Sequence, residues 1–154
     1  MSGPSIPSTF IEKDLSYYLR MIRGDIQEVE ETQAVKTEGP ISHKNIVVIL
    51  GAPRLGTGDD ELGKNLLHLF LRSIAGSPVL PRALILLNTA VTIAGAESEF
   101  LNELSLLEEQ GISVLVNSES ADKFNLSDSL KAGFLANMDQ IVELAFSAWK
   151  VISL

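Results

Sequence analysis

The sequence predicts an α/β protein with three α/β/α layers, in which helices cover both faces of a mostly parallel five-stranded sheet. The first indication is the continuous apolar run over residues 46–50, Ile-Val-Val-Ile-Leu, which is typical of a strand buried on both faces. The second is the alternation of such runs with helical segments over residues 45–154. This alternation favours parallel strands that are joined by crossover helices.

The elements are predicted in the order β-α-β-α-β-loop-β-α-β. The first helix opens on acidic residues that suit the positive end of the helix dipole and stops near Gly76, and the turn after it contains Pro78 and Pro81. The predicted strands cover 46–50, 83–87, 112–116, 133–136 and 149–154. The predicted helices cover 59–75, 98–110 and 138–147, with one helical turn in the connection 89–96 and short helical pieces in the loop 117–130.

The first helix has apolar residues on two faces, which predicts that it contacts more than the sheet. One face consists of Leu62, Leu66, Leu69, Phe70 and Ser73, and the second of Leu67, Leu71 and Ile74. His68 is predicted to lie on the exposed face of this helix and His43 in a linker, so neither histidine is expected to act in catalysis.

Residues 1–44 are separated from the α/β domain, 45–154, by their composition. They are acidic and contain few large apolar residues after Ile26. Ser8 and Thr9 are suited to cap a short helix over 10–23, and the stretch 25–44, with Gly39-Pro40, is typical of an acidic linker or arm.

Composition excludes several classes of function. The 154 residues contain no cysteine, which excludes disulfides, thiolate metal sites, iron–sulfur clusters and a cysteine nucleophile. The net charge of −8, from 20 acidic and 12 basic residues, opposes binding to nucleic acid or anionic lipid. The longest apolar region, 83–96, is interrupted by Asn88, Thr89 and Thr92. We therefore expect a cytoplasmic protein with no membrane span, no metal and no cofactor.

The predicted ligand site lies where the parallel strands end, because ligands of such sheets bind at the carboxyl ends of the strands. The first of these loops, 51–58, is glycine-rich and precedes a helix, an arrangement that can bind an anion. Thr57-Gly58 stand where a P-loop has Lys-Ser/Thr, and three acids follow directly. A tight turn with a capped helix is therefore the competing interpretation, although Arg54 is suited to pair with a small anion.

The loop after the third strand, 117–122, is polar, and Ser120 has no base identifiable in the sequence. The simpler interpretation is an Asx turn that caps the short helix that follows. With two histidines and no cysteine, the chain has little material for a catalytic triad or a zinc site.

Three segments carry a resemblance to a known family: Gly56-Thr57-Gly58-Asp59-Asp60-Glu61-Leu62-Gly63-Lys64, Asn88-Thr89-Ala90-Val91, and the C-terminal part formed by 133–141 and 150–154. They resemble the DsrE/DsrF-like family, and most closely the C-terminal domain of YedF-type sulfurtransferase-like proteins associated with selenium metabolism. The resemblance covers 45–154 and implies the DsrE-like fold and a homo-oligomer. It also implies a protein partner from a sulfur relay or from selenium metabolism.

Two departures change what the resemblance implies for function. Asn117 and Ser120 occupy the positions where the family would have cysteines, and a serine hydroxyl cannot carry a persulfide. Residues 1–44 are also too short for the N-terminal TusA-like domain of YedF-type chains and lack its Cys-Pro motif. Persulfide sulfurtransferase activity is thereby excluded.

We therefore expect a non-catalytic binding or assembly subunit with no catalytic residue assigned. The alternative is an enzyme or sensor that binds a small molecule or anion in the strand-end cleft. The residues expected to line this cleft are Ala52, Arg54, Asn88, Asn117, Ser120 and Asn137.

Overall fold

A computed structural model of the protein describes residues 42–154, with side chains from Lys44 onward. These residues correspond to the compact unit His43–Leu154. The helix predicted over 10–23 and nearly all of the predicted acidic arm lie outside the described residues.

The described chain alternates strands with helices. The strands are β1 (Ser42–Leu50), β2 (Val79–Leu86), β3 (Ser113–Asn117), β4 (Phe134–Ala136) and β5 (Lys150–Ser153). The α-helices are α1 (Asp60–Ala75), α2 (Leu101–Glu109), α3 (Ser118–Lys123) and α4 (Met138–Ser147), and a 3₁₀ helix covers Asn88–Ala94. None of the helices within residues 42–154 combines the length and the apolar character needed to cross a membrane.

The five strands form one sheet in the order β4-β3-β2-β1-β5. The pairs β1·β5, β2·β3 and β3·β4 are parallel, with Val47 opposite Val151 and Ile85 opposite Leu115. The chain thus adds strands toward β4 and then crosses back to place β5 beside β1. This is the predicted α/β architecture with a mostly parallel five-stranded sheet, and the prediction is confirmed.

The two faces of the sheet are covered unequally. Alternate strand residues such as Val48, Leu84 and Val114 pack in the larger core together with residues of α1, α2, the 3₁₀ helix and α3. The residues between them, such as Val47 and Ile85, pack in a smaller core that contains residues of α4. Because crossovers between parallel strands are right-handed, three connections in one direction cover one face, and the single return crossover covers the other.

Two strands begin earlier in the structure than the sequence predicts. β1 begins at Ser42 rather than at residue 46, and β2 begins at Val79 rather than at residue 83. Pro81 therefore lies inside β2, although the sequence placed it in a turn. Pairing with β3 begins only at Ala83, so the missing N–H of Pro81 does not interrupt the ladder between β2 and β3.

The predicted exposure of His68 is wrong. Its side chain is only 20% exposed and stacks on Phe100, with ring centroids 4.0 Å apart. Its Nδ1 is hydrogen-bonded to the carboxylate of Glu103, which is itself 5% exposed and lies 3.8 Å from Arg72 Nη2. His68 is covered because α2 packs against α1, whereas Lys64 and Arg72 on the same helix face remain exposed.

Candidate functional site

The candidate site lies at the carboxyl ends of β3 and β4, where the two neighbouring strands connect to opposite faces of the sheet. β3 leads into α3 on the larger core, and β4 leads into α4 on the smaller core. Such a topological switch point opens a crevice in which open α/β sheets bind their ligands. Asn117 is the last residue of β3, and Asn137 follows the last residue of β4.

A hydrogen-bonded cluster joins the ends of β2 and β3. The Ser120 hydroxyl donates to Asn117 Oδ1 at 2.6 Å and accepts from the backbone N–H of Asn88 at 2.9 Å. Asn117 Oδ1 also accepts from the backbone N–H of Ser120, and its Nδ2 donates to Glu119 Oε1 at 2.8 Å. Three predicted site residues, Asn88, Asn117 and Ser120, are therefore in direct contact.

The backbone of Asn88 helps to form this cluster. Its φ is +55°, in the left-handed region that asparagine adopts more readily than most residues. Asn88 is the first residue of the 3₁₀ helix that follows β2, and this conformation allows its N–H to meet Ser120 Oγ. The family-like segment that begins at Asn88 thus has a structural role at the end of a strand.

The chemistry of the cluster is that of a cap rather than of a nucleophile. The Ser120 proton is directed at an amide oxygen, which is not a base, so nothing within the cluster activates the hydroxyl. Asn117 is the N-cap of α3 and is almost fully buried, so its polar atoms need these partners. The Asx cap that the sequence predicts for this loop is confirmed.

The glycine-rich loop is held against the first turns of α1. Leu55 N–H donates to the carbonyl of Gly63 at 2.9 Å, and Asp59 caps the helix by accepting from Leu62 N–H at 2.8 Å. A Cβ on Gly63 would lie 2.8 Å from the carbonyl oxygen of Leu55. The glycine in the family-like signature is therefore required by the close approach of the loop.

Arg54 and Ala52 occupy this loop, on the β1 side of the cluster. Arg54 Nε lies 3.1 Å from Asp60 Oδ1, within ion-pair distance but without the angle of a hydrogen bond. Ala52 follows Gly51, whose carbonyl accepts a long 3.4 Å hydrogen bond from Thr89 Oγ1. This contact connects the loop to the end of β2.

A polar cleft of about 580 Å³ lies beside Arg54, along the first turns of α1. Its lining residues are Pro53, Arg54, Asp60, Glu61, Lys64, Asn65 and Glu99. Lys64 Nζ lies 2.7 Å from Glu99 Oε2, and this hydrogen bond raises the pKa of Lys64 and lowers the pKa of Glu99. Both cations of the cleft therefore have a carboxylate neighbour, which weakens their attraction for an external anion.

Asn137 stands apart from the cluster. Its side-chain oxygen accepts from Gln140 N–H, and the Gln140 side chain accepts from Asn137 N–H, both at 2.9 Å. This capping box begins α4. Of the predicted site residues, the structure thus brings together Asn88, Asn117 and Ser120, with Ala52 and Arg54 in the adjoining loop and Asn137 beyond the end of β4.

Two other polar features of the structure are not among the predicted site residues. Glu119 supports Asn117, and its position two residues after Asn117, in the first turn of α3, is the signal that marks it. A cleft of about 660 Å³ lies on the α4 face near the amino ends of the strands and is lined in part by Arg82, Phe134 and Glu143. No local motif in the sequence marks this second cleft, because its residues come from four strands and one helix.

No protein-family model matches the sequence, and the search of curated proteins found no relative. Two similar solved structures are the crystal structure of the ychN protein from E. coli and the structure of MTH1491, a protein of unknown function from Methanobacterium thermoautotrophicum. The first has a TM-score of 0.52 and 17% identity, covering 72% of this chain and 99% of that chain. The second has a TM-score of 0.54 and 19% identity, covering 73% of this chain and 99% of that chain. At these identities the similarity shows the fold alone, and it supports a DsrE-like fold.

Proposed function

We propose that this chain is a DsrE/YedF-like binding or assembly subunit of sulfur or selenium metabolism that carries no sulfur itself. The observation that carries the proposal is the hydrogen bonding of Asn117 and Ser120. The resemblance places cysteines at these positions, and here both side chains hold the end of β3 and the start of α3 together.

The chemical argument is that a persulfide requires a thiol. The hydroxyl of Ser120 is far less acidic than a thiol, and its proton is donated to an amide oxygen. With no cysteine in the chain, no other side chain replaces this function. The proposed role is therefore to bind a partner or ligand at the switch point, while sulfur is carried by a partner protein.

The test is to incubate the full chain with glutathione persulfide, remove the donor and measure protein-bound sulfane sulfur by mass spectrometry. We expect none on the wild-type chain. The matched control is Ser120→Cys, which introduces one thiol at the family position and should become persulfidated under the same conditions. Stoichiometric sulfane sulfur on the wild-type chain would overturn the proposal.

A second candidate is a sensor or enzyme that binds a small molecule or anion, with Arg54 as the anion anchor. The polar cleft beside Arg54 and Lys64 favours it, whereas Asp60 and Glu99 oppose it. Calorimetry with inorganic phosphate distinguishes the two candidates. Saturable binding that is lost in Arg54→Ala and kept in the control Arg82→Ala would support the anchor, and equal binding by wild type and Arg54→Ala would exclude it.

A further inference from the structure

The cleft of about 660 Å³ on the α4 face, which we call the α4 cleft, lies apart from the switch point. Ser113 and Phe134, which line it, are the first residues of β3 and β4, so it lies near the amino ends of these strands. None of the predicted site residues lines it. Its volume falls in the range of pockets that bind small molecules, and its lining residues indicate which kind of molecule would fit.

The floor of the α4 cleft has an end formed by small residues and an apolar end. Ala83 of β2 lies opposite Ser113, and both side chains are short, which leaves space between the sheet and α4. Leu115 lies opposite Phe134, and Phe134 is 53% exposed. A hydrophobic group that packed on Leu115 and Phe134 would remove this apolar surface from water.

Arg82 provides a positioned positive charge in the α4 cleft. Its Nη1 donates to Asn45 Oδ1 at 2.9 Å, and Asn45 Nδ2 donates to the carbonyl of Ser147 at 2.8 Å. These hydrogen bonds join β2, β1 and the last turn of α4, and they hold the guanidinium in place. Asn45 uses only one of the five N–H donors of the guanidinium, so a carboxylate can still accept a pair of hydrogen bonds from it.

The charge of Arg82 also differs from that of the cations in the polar cleft beside Arg54. Arg54 and Lys64 each have a carboxylate neighbour, whereas Arg82 forms no ion pair with a residue in the range 44–154. Its hydrogen-bond partner Asn45 is neutral. Within the described chain, Arg82 is therefore better suited than Arg54 to attract a carboxylate.

Glu143 provides a negative charge on the wall of the same cleft. It precedes Ser147 on α4 by about 6 Å along the helix axis, so it lies one turn away from the end of the helix to which Arg82 is connected. Glu143 and Arg82 do not form an ion pair with each other. The two opposite charges thus line the α4 cleft at separate points, and one ligand with a positive and a negative group can meet both.

We propose that the α4 cleft binds a small zwitterion, namely an amino acid with an apolar side chain. The carboxylate of the ligand accepts from Arg82, its ammonium group donates to Glu143, and its side chain packs on Leu115 and Phe134. A ligand without net charge is favoured, because the net charge of −8 repels anions and Glu143 repels a second negative group. This inference goes beyond the proposed function and does not rest on it.

The test is titration calorimetry of the full chain with L-phenylalanine, for which we expect saturable binding at millimolar concentration or below. Two matched ligands each remove one charge: hydrocinnamate lacks the ammonium group, and phenethylamine lacks the carboxylate. Since each loses a charge-assisted hydrogen bond, each should bind about tenfold more weakly, or weaker still. Inorganic phosphate has neither an ammonium group nor an apolar part, so the phosphate test at Arg54 and this test fail separately.

Substitutions at exposed positions of the cleft test the individual contacts. Arg82→Ala should weaken the binding of L-phenylalanine about tenfold, and Arg82→Lys, which keeps the charge but not the paired donors, should recover part of the loss. Glu143→Gln should weaken the binding of L-phenylalanine and strengthen that of hydrocinnamate, because it removes a negative charge from the cleft. The matched control is Arg72→Ala on α1, which packs on the other face of the sheet and should leave binding unchanged.

Four results would overturn the proposal. The wild-type chain could show no saturable binding of L-phenylalanine, or it could bind hydrocinnamate as tightly as L-phenylalanine, which would mean that Glu143 attracts no ammonium group. The affinity for L-phenylalanine could be equal in wild type and Arg82→Ala. Binding lost in Arg54→Ala and kept in Arg82→Ala would assign the ligand to the polar cleft beside Arg54 instead.

Discussion

At the scale of single residues, Ser120 illustrates how one side chain replaces catalytic chemistry with structure. Its hydroxyl connects the carboxyl ends of two strands, since it donates to Asn117 and accepts from Asn88. Asn117 is buried, so its side-chain oxygen needs hydrogen-bond donors within the protein. Asn88 has a positive φ, which allows its N–H to meet Ser120 Oγ. The residue that the family resemblance marks as a site of sulfur chemistry is therefore expected to contribute to stability.

We predict that Ser120→Ala lowers the free energy of unfolding by about 1–2 kcal/mol, because it leaves a buried amide oxygen and a backbone N–H each short of one partner. Urea unfolding followed by circular dichroism measures the change. The control is Ser118→Ala, at the first residue of α3, whose expected effect is within about 0.5 kcal/mol. Equal stability of Ser120→Ala and wild type would show that the hydroxyl contributes no net stabilisation.

Gly63 provides a second prediction at this scale. Alanine favours a helix interior by up to about 1 kcal/mol over glycine, but the added Cβ would lie 2.8 Å from the backbone oxygen of Leu55 and 3.1 Å from Arg54 Cβ. Because a backbone carbonyl yields little, we expect Gly63→Ala to destabilise the protein by about 1–3 kcal/mol.

Gly76→Ala is the matched control for Gly63→Ala. At Gly76 the nearest atom to an added Cβ is 3.7 Å away and φ is −91°, so alanine should leave stability unchanged or slightly raise it. Thermal unfolding of both variants checks the pair. A Gly63→Ala variant as stable as Gly76→Ala would mean that the loop moves away from α1 at no cost.

Part of the candidate site was predictable from the sequence. Whether a contact was predictable depends on how far apart its two residues lie in the chain. The cap by Asn117 is a local pattern, since its partner Ser120 is three residues away. The contact of Ser120 with Asn88 spans 32 residues and depends on β2 and β3 being neighbours, which only the fold class suggests. Glu103 and His68 were missed because their separate helices each look solvated until they pack together.

At the scale of elements, the contact between α1 and α2 depends on a buried carboxylate. Glu103 is among the few charged residues buried in the described chain, and its oxygen meets His68 Nδ1 while Arg72 lies nearby. Phe100 stacks on the same imidazole. The two helices are therefore joined by a polar contact set within an apolar interface.

We predict that Glu103→Ala destabilises the protein by about 1–3 kcal/mol, since His68 loses its buried acceptor. Glu103→Gln, which keeps an acceptor oxygen and the shape of the side chain, should be affected less. Glu109→Ala, at an exposed position of the same helix, should change stability by no more than about 0.5 kcal/mol. The three variants are compared by urea unfolding, and equal losses for Glu103→Ala and Glu109→Ala would contradict this role.

The boundaries of elements were predictable where local chemistry determines them. α4 was predicted over 138–147, as found, because the capping box of Asn137 and Gln140 fixes its start within four residues. The start of β2 was not predictable, because a proline argues against a strand interior, whereas here the pairing of β2 with β3 begins only at Ala83, after Pro81. That onset is a property of the neighbouring strand and has no local signal.

At the scale of the whole domain, the direction of chain growth explains both the position of the site and the unequal covering of the two sheet faces. Three successive crossovers cover one face of the sheet, and one return crossover covers the other. The same reversal creates the switch point at β3 and β4 and leaves α4 alone on its face. The fold class was predictable because alternating strands and helices imply parallel crossovers, whereas the reversal after β4 has no counterpart in the sequence pattern.

This asymmetry predicts unequal local stability across the domain. Helices α1 and α2 each bury several residues, whereas Ile141 is the only fully buried residue of α4. Because local opening costs less where fewer apolar contacts are lost, amide hydrogens of α4 should exchange faster than those of α1, α2 and the central strand β2. The measurement is native-state hydrogen exchange on the full chain. Equal protection of α4 and β2 would show that the smaller core opens only together with the larger one.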